Sequence, residues 1–228
     1  LPLFDGAFAA FFGADVLDIF GEQLPQGSSE FMNNGAGGLH AELTSTGGNV
    51  WLDIDGASAG GNTNAGFNIV LNALNGNILG RFNDVDVLAN GGNGINLELN
   101  GAGGSLGFWF GDVLAANNGA NGINVVENYN GAVEIGGERI VSANNTGNGV
   151  RIVASGLAGL PVLDFGGGTL GSVGQSSIYG NGNRDFRNGD AGAVMAENNW
   201  WGVAPPANSQ FAGSIDRNPW LVADPNAP

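Results

Sequence analysis

Asn90-Gly-Gly-Asn-Gly94-Ile-Asn-Leu-Glu-Leu99 returns 28 residues later as Asn118-Gly-Ala-Asn-Gly122-Ile-Asn-Val-Val126. The same pattern starts again at Asn34, Asn62 and Asn145: an Asn, three mostly small residues, a Gly, then alternating apolar positions. The leading residues Asn34, Asn62, Asn90, Asn118 and Asn145 are spaced 28, 28, 28 and 27 apart. The glycines Gly38, Gly66, Gly94, Gly122 and Gly149 keep the same spacing. Five hits in phase are no accident of composition, and a period of this length marks a stacked architecture.

The physics selects which one. Each repeat holds a period-two stretch bounded by Gly and Asn, which reads as a strand entered from a turn. At about 3.3 Å per strand residue, one repeat suits a coil of three short strands with their turns. No repeat contains a helical run of the length that a helix-pair or leucine-rich repeat needs. The expectation is an all-β, right-handed parallel β-helix solenoid of about six coils, capped at both ends, its hand following the rule for parallel crossovers. Stacking then puts Leu39, Phe67, Ile95, Ile123 and Val150 in one interior column, and Ala41, Ile69, Leu97, Val125 and Ile152 in the next. Both columns are apolar throughout, as a solenoid core requires. The Asn column fits the same picture, because stacked amides hydrogen-bond in a ladder and satisfy turn backbone. Asn93, Asn121 and Asn148, each just before the phased Gly, are expected in the left-handed region.

These coils, closed by Ala196-Glu-Asn-Asn-Trp-Trp-Gly202, resemble right-handed parallel β-helix proteins of the pectin-lyase-like superfamily. The Asn-Asn-Trp-Trp-Gly ending is similar to that of bacterial and archaeal surface β-helix proteins. The resemblance covers roughly residues 29 to 202 and implies a fold far more than a function, since that fold carries lyases, hydrolases, adhesins and phage spikes.

The ends of a solenoid expose strand edges and raw core, so covers are expected. Residues 1–28, with Phe4, Phe8, Phe11, Phe12 and Phe20, read as an N-terminal cap, helical or an irregular first strand around Asp15 to Phe20. Residues 29–202 form the β-helix, and 203–228 read as a non-repetitive capping tail. The adjacent Trp200 and Trp201 read as cap core rather than as a platform for a sugar. Asn181 follows Asn145 by 36 residues, so about eight extra residues sit in the sixth coil. They are expected within Gly156 to Gly168, with Leu157 to Pro161 as the bulge.

The charge balance narrows the function. The 228 residues carry 21 acidic and six basic side chains, all six of them Arg, for a net charge of −15. That argues against nucleic-acid backbone binding and adhesion to anionic lipid, which need clustered cations. No Cys and a single His, His40, leave no thiolate zinc site and no two-His metal site. No uncharged apolar window reaches membrane-spanning length, so membrane insertion is not expected. The apolar start lacks a basic region and does not read as a targeting segment. An acidic, Lys-free surface suits the outside of a cell, with any signal or anchor beyond this chain.

Beside the first strand of each coil, His40, Asn68, Asn96, Asn124 and Arg151 point outward as a polar face of low charge. His40 reads there as a solvated surface residue. A sharper set precedes the Asn turns: Asp84, Asp112 and Arg139, spaced 28 and 27, with Asp53 extending the column and Asp55 and Asp86 a neighbouring pair. Carboxylates stacked about 4.8 Å apart repel unless a cation, a proton or an Arg compensates. Calcium is therefore the candidate cofactor, with Asp53, Asp84, Asp86 and Asp112 as ligands. If the chain is an enzyme, Asp84, Asp112 and Arg139 are the catalytic candidates for a polysaccharide lyase or glycoside hydrolase, chemistry that the family resemblance implies. The motifs of polygalacturonase-like enzymes and alginate epimerases are absent. The leading expectation is a structural module of the cell surface, such as an adhesin stalk, surface-layer or filament subunit. Its expected partners are copies of itself, other surface proteins, or a polysaccharide held weakly along a coil face.

Overall fold

A computed structural model of the chain describes residues 16–18, 29–154, 161–190 and 192–227. The expected N-terminal cap and the Leu157 to Pro161 bulge lie largely outside them. Within them, two parallel sheets wind into a β-solenoid of about six turns, with the 28-residue spacing visible strand by strand.

Each regular coil has two segments. Leu39–Ser45, Phe67–Ala73, Ile95–Gly101 and Ile123–Tyr129 stack in register to build a seven-stranded sheet, which Val150–Ala154, Phe186–Asn188 and Phe211–Ala212 continue. The longer strands Asn49–Gly60, Asn77–Leu88 and Ser105–Ala116 form the middle of the second, eleven-stranded sheet. They switch phase midway: Leu52 and Ile54 point inward, then Ala57 and Ala59, with one left-handed residue, Gly56, between them. That single residue turns the strand through a corner, so one sheet supplies two faces of the coil.

The core is the pair of apolar columns. Phe67, Ile95, Ile123, Val150 and Phe186 have no exposed surface, and neither do Ile69, Leu97, Val125 and Ile152. Phenylalanines fill the rest, with the Phe82 ring 5.2 Å from Phe108 and that ring 5.0 Å from Phe110.

The turn geometry departs from expectation. Asn93, Asn121 and Asn148 are not left-handed; the left-handed residues are Asn33, Gly61, Ala89, Asn117 and Asn144, each one place before a ladder Asn. The phased Gly serves close approach instead. A Cβ on Gly94 would lie 2.7 Å from the Gly122 carbonyl and 2.8 Å from Asn118 Nδ2 of the next coil. Any side chain there pushes two coils apart.

The sixth coil also differs. Gly136 pairs with Asp164, an offset of 28, whereas Val141 pairs with Ser177, an offset of 36. The eight extra residues therefore lie between Asp164 and Ser177, later than the Gly156 to Gly168 expectation. Asp164, fully buried, folds this insertion around itself. Its Oδ1 accepts from the N–H of Gly166 and Gly168, both at 3.0 Å, and its Oδ2 from Leu170 at 2.8 Å. Parallel pairing continues past residue 202, because Phe211–Ala212 and Ile215–Asp216 each add to a sheet. Trp201 is 1% exposed, its ring 4.8 Å from Phe211, and so belongs to the core. At the other end Val16–Asp18 is a short strand paired with Trp51 to Asp53.

Candidate functional site

The left-handed corner carries the acidic residues. The register stacks Gly56, Asp84, Asp112 and Arg139 in one column, with φ of 62°, 52°, 50° and 51°. Gly and Asp tolerate this region, Arg far less. Arg139 is held by its partners: Nε lies 2.7 Å from Asp112 Oδ1 and Nη2 2.8 Å from Oδ2, a bidentate fork, and Nη1 donates to Glu138. The bond to Asp112 is the main reason the guanidinium stays protonated more firmly than usual.

The other carboxylates stand elsewhere. Asp53 is three residues off this column and pairs with Arg81, whose Nε and Nη2 reach it at 2.8 and 2.7 Å. Asp55 lies under Asn83, which donates to it at 3.0 Å, rather than beside Asp86. Asp86 stacks on Ser58, and its carboxyl is raised from its ordinary value, by desolvation first and by Asp84 second. Asp53, Asp84, Asp86 and Asp112 thus occupy three columns instead of the two expected. Among the described residues no three acidic or His side chains converge as a metal-binding group. Two of the four carboxylates are already neutralised by Arg, and Asp112 sits exposed on a corner.

The amides are the organised chemistry of this molecule. Along the buried ladder, Asn34, Asn62, Asn90 and Asn118 each direct backbone N–H and Nδ2 to the Oδ1 of the next Asn, at 2.8 to 3.2 Å. Asn145 does the same toward Asn181, and the second hydrogen of Nδ2 meets a backbone carbonyl in Asn62, Asn90, Asn118 and Asn145, Val87 in the case of Asn118. Asn62, Asn90, Asn118 and Asn145 are at most 2% exposed, so every polar atom placed there needs these partners.

A second column lies on the outer side of the seven-stranded sheet, open at Asn68 and His40 and covered at Asn124, which is 5% exposed. Arg151 Nη1 donates to Asn124 Oδ1 at 2.7 Å, Asn124 to Asn96 at 2.7 Å, Asn96 to Asn68 at 2.8 Å, and Asn68 Nδ2 meets His40 Nδ1 at 2.8 Å. Arg can only donate, so it sets the direction of the whole chain and makes His40 Nδ1 the terminal acceptor, with the proton on Nε2. Burial and the neighbouring Arg187 lower the proton affinity of Arg151. At the His40 end an open groove of about 560 Å³ runs between this column and the turns, lined by His40, Asn64, Asn68, Gly92, Asn93 and Asn96. No Asp, Glu or Arg lines it.

Sequence reasoning missed a third feature. Glu127 occupies the interior column of Leu71 and Leu99 and is 2% exposed. Burial raises its carboxyl to about 7, aided by Asp190. Glu127 Oε2 and Asp190 Oδ2 are buried and meet no hydrogen-bond donor, a setting that favours the protonated form of Glu127. The signal was present, an acid in phase with Leu43, Leu71 and Leu99.

No family model, curated protein or solved structure matches the chain.

Proposed function

We propose that the chain is a structural β-helix module of an extracellular or cell-surface protein, an adhesin stalk, surface-layer or filament subunit, whose outward amide face holds neutral polysaccharide weakly. The resemblance to pectin-lyase-like surface proteins ending in Asn-Asn-Trp-Trp-Gly supports that setting. The observation that carries the reading is the outward column from Arg151 to His40, running beside an uncharged groove. Asn68 uses one hydrogen and one lone pair on its neighbours and keeps another of each for a ligand, and Asn64 on the groove wall makes no side-chain hydrogen bond among the described residues, whereas Asn96 is bonded besides to Asn93 and Glu98. Hydroxyl-rich, uncharged chains match such an array, whereas a uronic-acid polymer meets the repulsion of a −15 surface. The rival lyase or hydrolase reading loses its footing at Asp112, which is tied to Arg139 on an exposed corner.

Affinity electrophoresis in gels containing a neutral β-linked glucan tests this. The intact protein is retarded and the Asn68→Ala/Asn96→Ala variant is not, while a uronic-acid polymer neither retards the protein nor is degraded by it. Unsaturated products from the uronic-acid polymer would overturn the reading and restore Asp84, Asp112 and Arg139 as catalytic candidates.

A further inference from the structure

The chain contains eleven Asn-Gly steps, at Asn34, Asn75, Asn90, Asn93, Asn100, Asn118, Asn121, Asn130, Asn148, Asn181 and Asn188. Such a step is chemically labile. The Gly nitrogen attacks Asn Cγ, a new C–N bond closes a five-membered succinimide, and the Cγ–Nδ2 bond breaks. Ammonia leaves with the backbone proton, and water then opens the ring to aspartate or isoaspartate. The reaction needs a side chain free to rotate and a Gly N–H not already bonded.

The fold withholds both conditions from most of these steps. The Gly N–H after Asn90, Asn93, Asn118, Asn121, Asn148, Asn181 and Asn188 donates to a neighbouring coil's carbonyl at 2.7 to 2.9 Å. The Asn34 amide is held by Asn62, and that of Asn100 lies between Asn72 and Asn128. Two steps remain. Asn75 and Asn130 are exposed, their amides make no hydrogen bond among the described residues, and neither Gly76 nor Gly131 donates its N–H. Both lie in the turn that joins the two sheets, at the same corner of different coils: Asn75 follows Phe67–Ala73 and Asn130 follows Ile123–Tyr129. The turn residues there, Leu74 to Gly76, Ala102 to Gly104 and Asn130 to Gly131, carry no charge.

We infer that Asn75 and Asn130 are self-modification sites, at which the native protein converts an uncharged corner of the solenoid into a pair of carboxylates. The change takes the net charge from −15 to −17 (two new charges) without touching either ladder. It does not depend on the polysaccharide reading.

Peptide mapping by mass spectrometry, with isoaspartate detection, of native protein aged in mildly alkaline buffer tests it. Conversion at the Asn75 and Asn130 peptides should exceed that at any ladder step roughly tenfold or more, because a ladder step must first open its coil. Protein aged in urea should convert at all eleven steps. The Asn75→Gln/Asn130→Gln variant, altered only at exposed turns, should keep its charge profile in the native state. A native pattern matching the urea pattern, or ladder peptides converting as fast as Asn75 and Asn130, would overturn the assignment.

Discussion

Asn181 gives both its backbone N–H, at 3.2 Å, and its side-chain Nδ2, at 2.9 Å, to a single oxygen of Asp185. The buried ladder donates in one direction only, so its last member needs an acceptor that asks for nothing in return, and a carboxylate is one. Gln210 Nε2 holds the other oxygen at 2.7 Å. Replacing Asp185 by Ala leaves these donors without it in a site 4% exposed and should cost about 1–3 kcal/mol. Asp185→Asn keeps one acceptor and should lose less. Urea unfolding of the two variants checks the order.

Glu127 gives the protein a pH dependence of defined sign. Its carboxyl is raised from 4.5 to about 7 in the folded chain, so the native state binds the proton more tightly than the unfolded state. The stability this confers is fully present below pH 4.5, falls as pH rises to about 7, and is flat beyond. The span is roughly 3 kcal/mol. Glu127→Gln removes the titration, so the difference in unfolding free energy between the two proteins should widen in favour of the variant across that window. A constant difference would show that folding leaves the proton affinity of Glu127 unchanged.

The phased glycines are predicted to reject even a methyl group. Gly94→Ala drives a Cβ to within 2.8 Å of Val87 Cγ2 as well as Asn118 Nδ2, so backbone must move. A loss of about 1–3 kcal/mol is expected. Gly47→Ala, where a Cβ meets nothing within 4 Å, is the control and should be nearly neutral in the same melting experiment.

At the corner, backbone conformation outweighs charge. Asp112 is 43% exposed at its side chain, so its pair with Arg139 contributes at most about 1 kcal/mol. Asp112→Gly should therefore change stability little, losing the pair but relaxing φ at 50°. Asp112→Val should cost about 1–3 kcal/mol, because a β-branched residue is strained there. Calcium should not raise the melting temperature through Asp84 and Asp112, and calorimetry on Asp84→Ala/Asp112→Ala should give the same trace as the parent.

Much of the fold was legible because a solenoid repeats its environment. Phe67, Ile95 and Ile123 recur at one spacing since each meets the same neighbours one coil on, and parallel register follows directly. The same logic failed where the chain breaks its own period. Asp53 looked like a member of the Asp84 column because both precede an Ile or Val, yet only the strand register reveals that its partner is Arg81. The eight extra residues were countable but not placeable, because the Asp164 carboxylate that organises them is an ordinary Asp in sequence. Glu127 was readable as a polar intruder in a Leu column, but its partner Asp190 lies 63 residues on (127 to 190) and outside the repeat.

Two kinds of amide column follow from this architecture: a buried one that fastens the coils, and an outward one that leaves hydrogen-bonding groups for a ligand. Paired urea unfolding of Asn118→Ala and Asn68→Ala tests that division most directly. Asn118→Ala strips an acceptor from both donors of Asn90 and a donor from the Val87 carbonyl, so it should lose about 2–4 kcal/mol. Asn68→Ala, whose partners His40 and Asn96 can turn to water, should lose less than about 1 kcal/mol. Equal losses from the two substitutions would contradict the division and with it the account of how this solenoid is built and what its open face is for.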